Sequence, residues 1–344
     1  MAKNGRTRRA GAAAAACAVI AGGLFYLSFS RGKTANASPV PDLLSALPAG
    51  APALIYVDFT AVRASPFYQH RPDKGPIAVP NQDYANFIAS TGFDFEKDLD
   101  RVVLAIWPPA AAKEQAKMVA IGEGRFDRSK IRDYALRAGK LEQQQGHEVF
   151  VFPSTGPSGS TSFAFLDDRR IAIVSGSTIA PLFAANSPGN SGDPAVADPA
   201  RERAARLDGA AAFAVLRVPP IPDKPGAAAS QGAATAQMMT LARSVQWVTL
   251  AARPEGDDLR VSLEGECDTA TNAQQIKAAL ELMRMFGSAT LSSPKTSQSM
   301  DPVTLTQLQN LLTGAQVTQA AERVRVLVEL TPDIFKLGAA RKPQ

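Results

Sequence analysis

Histidine is the usual proton shuttle and nitrogen ligand, and this 344-residue chain holds two, His70 and His147. His70 sits in the Pro-bounded stretch 68–72 and His147 follows Gly146 ahead of an apolar run, neither with a cysteine or carboxylate at metal-ligand spacing. Both read as surface residues. Ser191, in Gly189-Asn190-Ser191-Gly192-Asp193, imitates the nucleophile loop of serine proteases, but that serine needs an imidazole base and backbone amides aimed at the oxyanion. The Pro, Gly, Asn and Ser around it mark a flexible linker instead. Ser292-Ser293-Pro294-Lys295 has the Ser-x-x-Lys spacing of penicillin-recognising enzymes, and Lys295-Thr296-Ser297 imitates their distal Lys-Thr motif. One lysine cannot fill both positions, so the segment reads as a loop.

Asp94, Glu96, Asp98 and Asp100 alternate and offer oxygens to a cation, yet a calcium loop needs a glycine at its turn and a distant bidentate glutamate. Phe95 and Leu99 interrupt this set, which reads as a solvated lead-in to a strand. Gly122-Glu123-Gly124 opens no phosphate-binding turn, because Phe126 and Asp127 follow it. Cys267 alternates onto the apolar side of a strand, where a thiol stays protonated and inert. Trp107 and Trp247 are expected just before turns, as a pair of equivalent core or rim aromatics. The residues thus predict no catalytic, cofactor-binding or metal site and no cofactor.

What must position the chain comes before any of these residues. Residues 10–30 run for 21 positions without a charge, and at about 1.5 Å per residue such a helix spans a hydrocarbon core of about 30 Å. Lys3, Arg6, Arg8 and Arg9 precede it, against Arg31 and Lys33 after it, which keeps the N-terminus in the cytoplasm. The expectation is a single pass through the inner membrane with the remainder extracytoplasmic. The alternative is cleavage near Ala37, where Ala35-Asn36-Ala37 supplies a small-x-small signature, and release to the periplasm. Arg8-Arg9 lacks the bulky apolar residues that follow a twin-arginine pair, and Cys17 precedes the strongest apolar stretch, so neither an export signal of that kind nor a lipid attachment is assigned.

The net charge of +5 invites a search for nucleic acid, but residues 1–33 hold six cations and no carboxylate. That leaves 31 Lys and Arg against 32 Asp and Glu, a net of −1, and no nucleic-acid footprint. With one cysteine beyond the membrane segment, no internal disulfide can staple the exported part. An apolar fraction of 45% supplies a core instead of disorder.

The predicted architecture is α+β: an N-terminal transmembrane helix, then antiparallel sheets with helices on one face, in two related units. Its divisions are a cytoplasmic tip and anchor at 1–33, a Pro/Ala linker at 34–52 that holds one short amphipathic piece from Asp42 to Leu47, a first unit at 53–186, a linker at 187–209, a second unit at 210–337 and a tail at 338–344. The spacing predicts strands from Ala53, and over 102–107, 118–123, 148–152, 162–166 and 171–174, with helices over 83–90 and 178–185 and one capped by Asp127 and stopped by Gly139. The second unit predicts strands at 211–218, 245–251, 259–267 and 324–330 and a helix around 234–242. A further helix, capped by Asp268 or Thr269 and stopped by Gly287, carries the face Ala273, Ile276, Leu280, Met283 and Phe286. Gly124-x-Phe126-Asp127 and Gly265-x-Cys267-Asp268 stand at the same strand-to-helix junction, which suggests duplication.

Two phrases carry a resemblance: Leu47-Pro48-Ala49-Gly50-Ala51-Pro52-Ala53-Leu54-Ile55-Tyr56-Val57-Asp58, and Gly92-Phe93-Asp94 continuing through Asp98-Leu99-Asp100-Arg101-Val102-Val103. They resemble the opening of bacterial exported proteins of the domain-of-unknown-function kind, over residues 1–180. The resemblance implies an N-terminal anchor, a Leu-Pro phrase before the first strand and a large α+β domain, and it carries over no functional residue. The function expected is a non-enzymatic binding or structural role in the cell envelope, with an envelope protein or polymer as partner. The alternative is a carboxylate-dependent hydrolase of the envelope, since paired acids work without histidine. Two facing carboxylates in a deep cleft would favour the hydrolase, and a shallow uncharged surface the binding role.

Overall fold

The structure, a computed structural model, describes residues 41–70, 82–109, 116–152, 160–185, 198–220 and 240–335. The segment 10–30, the candidate cut at Ala37, Ser191 and most of the helix expected at 234–242 lie outside the described residues. Among the described residues, no helix is long and apolar enough to cross a membrane. The chain is α+β, with antiparallel sheet throughout. Described residues up to Phe213, other than 64–70, form one compact unit; residues 64–70 and those from Ala214 onward form a second.

In the first unit, β1 (Ala53–Asp58), β2 (Leu99–Trp107) and β3 (Lys117–Gly124) pair in sequence order. β4 (Lys140–Gln144), β5 (His147–Phe152), β6 (Thr161–Phe165) and β7 (Arg170–Ser175) form a meander that returns to β3, giving the order β1-β2-β3-β7-β6-β5-β4. Strands β2 and β3 bury consecutive residues, 102–105 and 119–122, so both faces of the sheet are covered there. Helices on one face alone, as the sequence predicts, would have left alternate residues exposed.

Two stretches expected as linkers are folded. Helix α1 (Pro41–Ser45) lies within 34–52, and Leu43, Leu44 and Leu47 are buried, so the fold begins before Ala53. Within 187–209, the Asp198 carboxylate accepts the Arg201 amide at 3.2 Å and Pro199 opens helix α8 (Pro199–Ala205), whose Ala200 and Ala204 are buried. The two pieces hold each other. The Gly50 amide donates to Asp198 Oδ2 at 3.0 Å, and the Arg201 guanidinium donates to the Leu47 carbonyl.

Between them in the chain come α2 (Phe59–Arg63), α4 (Gln82–Thr91), α5 (Phe95–Asp98), α6 (Arg128–Ala138) and α7 (Ala180–Ala185). Helix α6 follows the predicted pattern, with Asp127 as cap, Ile131 and Ala135 buried and Gly139 beyond its end. Strand β4 was not predicted. Its sequence, KLEQQ, is exposed along nearly its whole length and carries no alternation; Gln145 and Gly146, at φ 51° and 81°, form the two-residue hairpin turn that pairs it with β5.

Strand β8 (Ala212–Arg217) opens at the close of the first unit, where the Asp58 amide donates to Ala211 O at 2.7 Å. In the second unit, β9 (Val245–Glu255), β10 (Asp258–Cys267), β11 (Gln316–Ala320) and β12 (Arg323–Leu330) run in the order β11-β12-β10-β9. Trp247 is the third residue of β9 and not, as expected, ahead of a turn, so it has no equivalence with Trp107 at the end of β2. The short helix α3 (Pro66–Gln69) belongs to this unit, and its Phe67 meets Phe335 with ring centroids 5.1 Å apart.

Helix α9 (Ala270–Leu291) is capped by Thr269, whose Oγ1 accepts the Asn272 amide at 3.2 Å, while Asp268 takes the Asn272 side chain. The helix does not stop at Gly287. Gly287 lies inside it and faces α11 (Pro302–Gly314): a Cβ there would stand 3.0 Å from Leu312 Cδ1, so the glycine permits close helix packing. Of the face expected in the core, Ala273 alone is fully buried, and Met283 and Phe286 are 45% and 63% exposed. The segment read as a loop at 292–295 starts helix α10 (Pro294–Ser299), with Ser293 as its cap and Pro294 at the first position.

Candidate functional site

Register brings together three charges that are remote in sequence. Asp58 stands opposite Arg101 across β1 and β2, and Arg101 opposite Glu123 across β2 and β3. Each ends or begins an apolar run, so the strands that bury Tyr56, Val57 and Val102 carry the charges to one end of the sheet. Arg101 donates to Glu123 Oε2 at 2.7 Å, with the two side chains 15% and 17% exposed. Asp58 is buried and its Oδ1 accepts the Ala61 amide at 2.7 Å, holding the first turn of α2.

Burial raises the Asp58 carboxyl above the usual range, opposed by that backbone hydrogen bond and by Arg101. Tyr56, fully buried two residues earlier, has its phenol pushed well above its ordinary value by burial and then by the charge of Asp58. It stays protonated at any physiological pH. An acid–base pair needs space between its carboxylates for substrate or water. Arg101 lies opposite both Asp58 and Glu123 in the register, so this arrangement is a clasp of three strands and not a pair of working acids.

A second tie lies beside it. The Arg63 guanidinium donates to the carbonyls of Leu99 at 2.7 Å and Glu96 at 3.0 Å and meets Asp100 at 3.2 Å, while Arg169 meets the other Asp100 oxygen at 2.7 Å. The acidic lead-in is therefore structured rather than solvated. Asp94 caps α5 by accepting the Glu96 amide at 3.0 Å, and its own amide donates to Asp98 Oδ2 at 2.9 Å. Among the described residues, no group of three or more His, Cys, Asp or Glu is gathered as a metal ion would require. Arg101 and Glu123 escape sequence reasoning because only strand pairing makes them neighbours, and Arg63 because only the packing of α2 brings it to Leu99 and Asp100; alternating signs at the ends of three apolar runs are the one hint.

The remaining sequence candidates are apart from this cluster. His70 follows α3 as its exposed C-cap, and His147 opens β5 with its ring stacked 4.1 Å from that of Phe183. Cys267 is buried, and burial raises its thiol, as an inert core cysteine requires. Asp127 is held at about 2 by the Ser129 hydroxyl and the Lys130 amide. A depressed carboxyl favours the folded state above its unfolded value of 3.8 and loses that effect as the pH falls toward about 2. Asp127→Ala is accordingly expected to lower the thermal midpoint at pH 7, with the gap from the parent closing between pH 4 and pH 2; an equal gap at both ends would contradict the capping role.

The other surface that stands out is α9, which exposes Leu282, Met283, Met285 and Phe286 in its second half. No family model matches the chain, and no curated protein matches it. Among solved structures, crystal form III of TP0453 is similar at 8% identity and a TM-score of 0.46, over 87% of this chain and 98% of that one. Crystal form I of TP0453 gives 10% identity and a TM-score of 0.44 over 88% and 98%.

Proposed function

We propose that this protein is a membrane-anchored extracytoplasmic component of the cell envelope, with a non-enzymatic binding or structural role. The anchor is residues 10–30, and the domain lies beyond the inner membrane. The observation that carries the reading is how the charges of the first unit are used. Asp58, Asp94, Asp100, Glu123, Asp127 and Asp198 each cap a helix or meet an arginine, while the exposed large apolar side chains concentrate on α9. Acids engaged in this way hold structure, and an apolar helix face offers binding area.

Reporter fusions test the placement: alkaline phosphatase joined after Arg63 is expected to be active, and a fluorescent protein that matures only in the cytoplasm dark. The reverse pattern would overturn it. Retention is tested by alkaline washing of membranes, which should leave the chain in the pellet; recovery of a soluble chain beginning at Ser38 would replace the anchor with a cleaved signal.

The two units also read as related. A hairpin, β2-β3 or β9-β10, feeds a helix, and the chain then returns by a meander to pair with the second hairpin strand, through β7 or β12. The junctions differ in detail, since Asp127 caps one helix and Thr269, not Asp268, the other.

A further inference from the structure

We infer that the outward face of α9 is a self-association surface, on which a second copy of this chain packs its own α9 antiparallel. The inference rests on the reading of the chain as a binding protein and names its partner. Ala278, Leu282, Met285 and Ala289 follow one another at spacings of four, three and four, which puts them on one side of a helix. All four are exposed, Leu282 at 49% and Met285 at 64%, with Phe286 beside them at 63%. The opposite side of the same helix carries Ala273, Leu280, Gly287 and Leu291, which are buried or half-buried. A surface helix with one apolar stripe facing its own sheet normally turns polar residues outward. This one has two apolar stripes.

The order along the outer stripe identifies the occupant. It runs small, large, large, small at symmetric spacing, so it is the same in either direction. A two-fold axis between positions 283 and 284 therefore sets Ala278 against the second copy's Ala289 and Leu282 against its Met285, the self-complementarity that an isologous interface demands. Alanines at both ends let the helices approach. No charge interrupts the stripe, since Lys277 and Glu281 pair with each other at 3.5 Å on its flank and Arg284 is half-buried on the inner side. The exposed apolar area is on the order of 400 Å² per copy, about half of what each partner buries in a standard stable interface. Association should accordingly be weak in dilute solution and promoted where copies are concentrated, as by tethering in one membrane.

The test uses the full chain in mild detergent micelles. Sedimentation equilibrium over about a hundred-fold concentration range should show a monomer–dimer equilibrium, with Met285→Lys raising the dissociation constant at least ~10-fold. Met285 is exposed, so an unchanged circular dichroism spectrum would show that the variant folds. Orientation is read by disulfide trapping in a Cys17→Ser background, with differently tagged Ala278→Cys and Ala289→Cys chains. The mixture should cross-link and Ala278→Cys alone should not, because antiparallel packing separates the two copies of position 278 by about 16 Å along the helix, beyond disulfide reach. A monomer at every concentration, a dimer indifferent to Met285→Lys, or trapping by Ala278→Cys alone would overturn the inference. So would a monomer whose Phe286→Trp variant gains quenching by brominated lipid, which would give the face to the bilayer. None of these outcomes alters the fusion and washing results, so this inference can fail while the envelope placement stands.

Discussion

Phe150→Ala is expected to destabilise the first unit by about 3–5 kcal/mol, the cost of emptying a fully buried aromatic site. Phe150 is 0% exposed and sits in a cluster with Ile131, Ala135, Phe163 and Phe165, its ring centroid 5.8 Å from that of Phe163. Phe163 in turn packs edge-on to Phe165 at 5.1 Å. Ile131 and Ala135 come from α6, Phe150 from β5 and Phe163 and Phe165 from β6, so one truncation loosens a helix and two strands at once. Urea unfolding of the full chain followed by circular dichroism checks it. A loss under about 1 kcal/mol would mean the cluster collapses into the space or is not a core.

Arg101→Met carries the second large effect. It leaves Glu123, 17% exposed, and buried Asp58 facing a side chain with no charge, and removing one member of so enclosed a pair costs about 3–5 kcal/mol at neutral pH. The sign of the pH dependence follows from what the arginine does. It favours the charged form of Asp58, whose carboxyl burial already raises, so its loss raises that carboxyl further. The deficit of Arg101→Met should therefore be full at neutral pH and shrink as acid protonates Asp58. Adding Glu123→Gln should recover part of the loss, because the orphaned charge goes with it. An Arg101→Met deficit that is the same at pH 7 and pH 4 would show that the guanidinium acts through packing alone.

The two effects mark what could be read from residues and what needed pairing. Strands β1, β2, β3 and β10 were legible because their apolar residues alternate or run continuously between clear breakers, and α6 because Asp127 and Gly139 bracket an apolar stripe. Strand β4 and helix α8 were not, since one is almost wholly exposed and the other rests on two small alanines. The stretch from Ser293 to Ala320 hid two helices and a strand behind polar residues, among them Ser293 as a cap, Gln307 buried in α11 and the exposed Gln316 of β11. For α9 the period was right but the face was not. Periodicity gives the geometry of a stripe and says nothing of whether a neighbour covers it, which is why Met283 and Phe286, expected in the core, lie exposed. The clasp of Asp58, Arg101 and Glu123 was invisible for a different reason: it is a property of register.

Strand β4 ends the sheet of the first unit, and a terminal strand presents a row of backbone donors and acceptors that another chain can extend. Its exposed Lys140 and Glu142 set charge along that row on either side of Leu141, the one apolar residue of the strand, and the glutamines that follow add nothing apolar to grip. The feature that made β4 unreadable as a strand is thus the one that protects the chain from growing into fibres at that edge. A variant with valines at 140 and 142 would carry an unbroken apolar run over 140–142, legible at once as a strand, and would be legible in the same way to every other copy of itself.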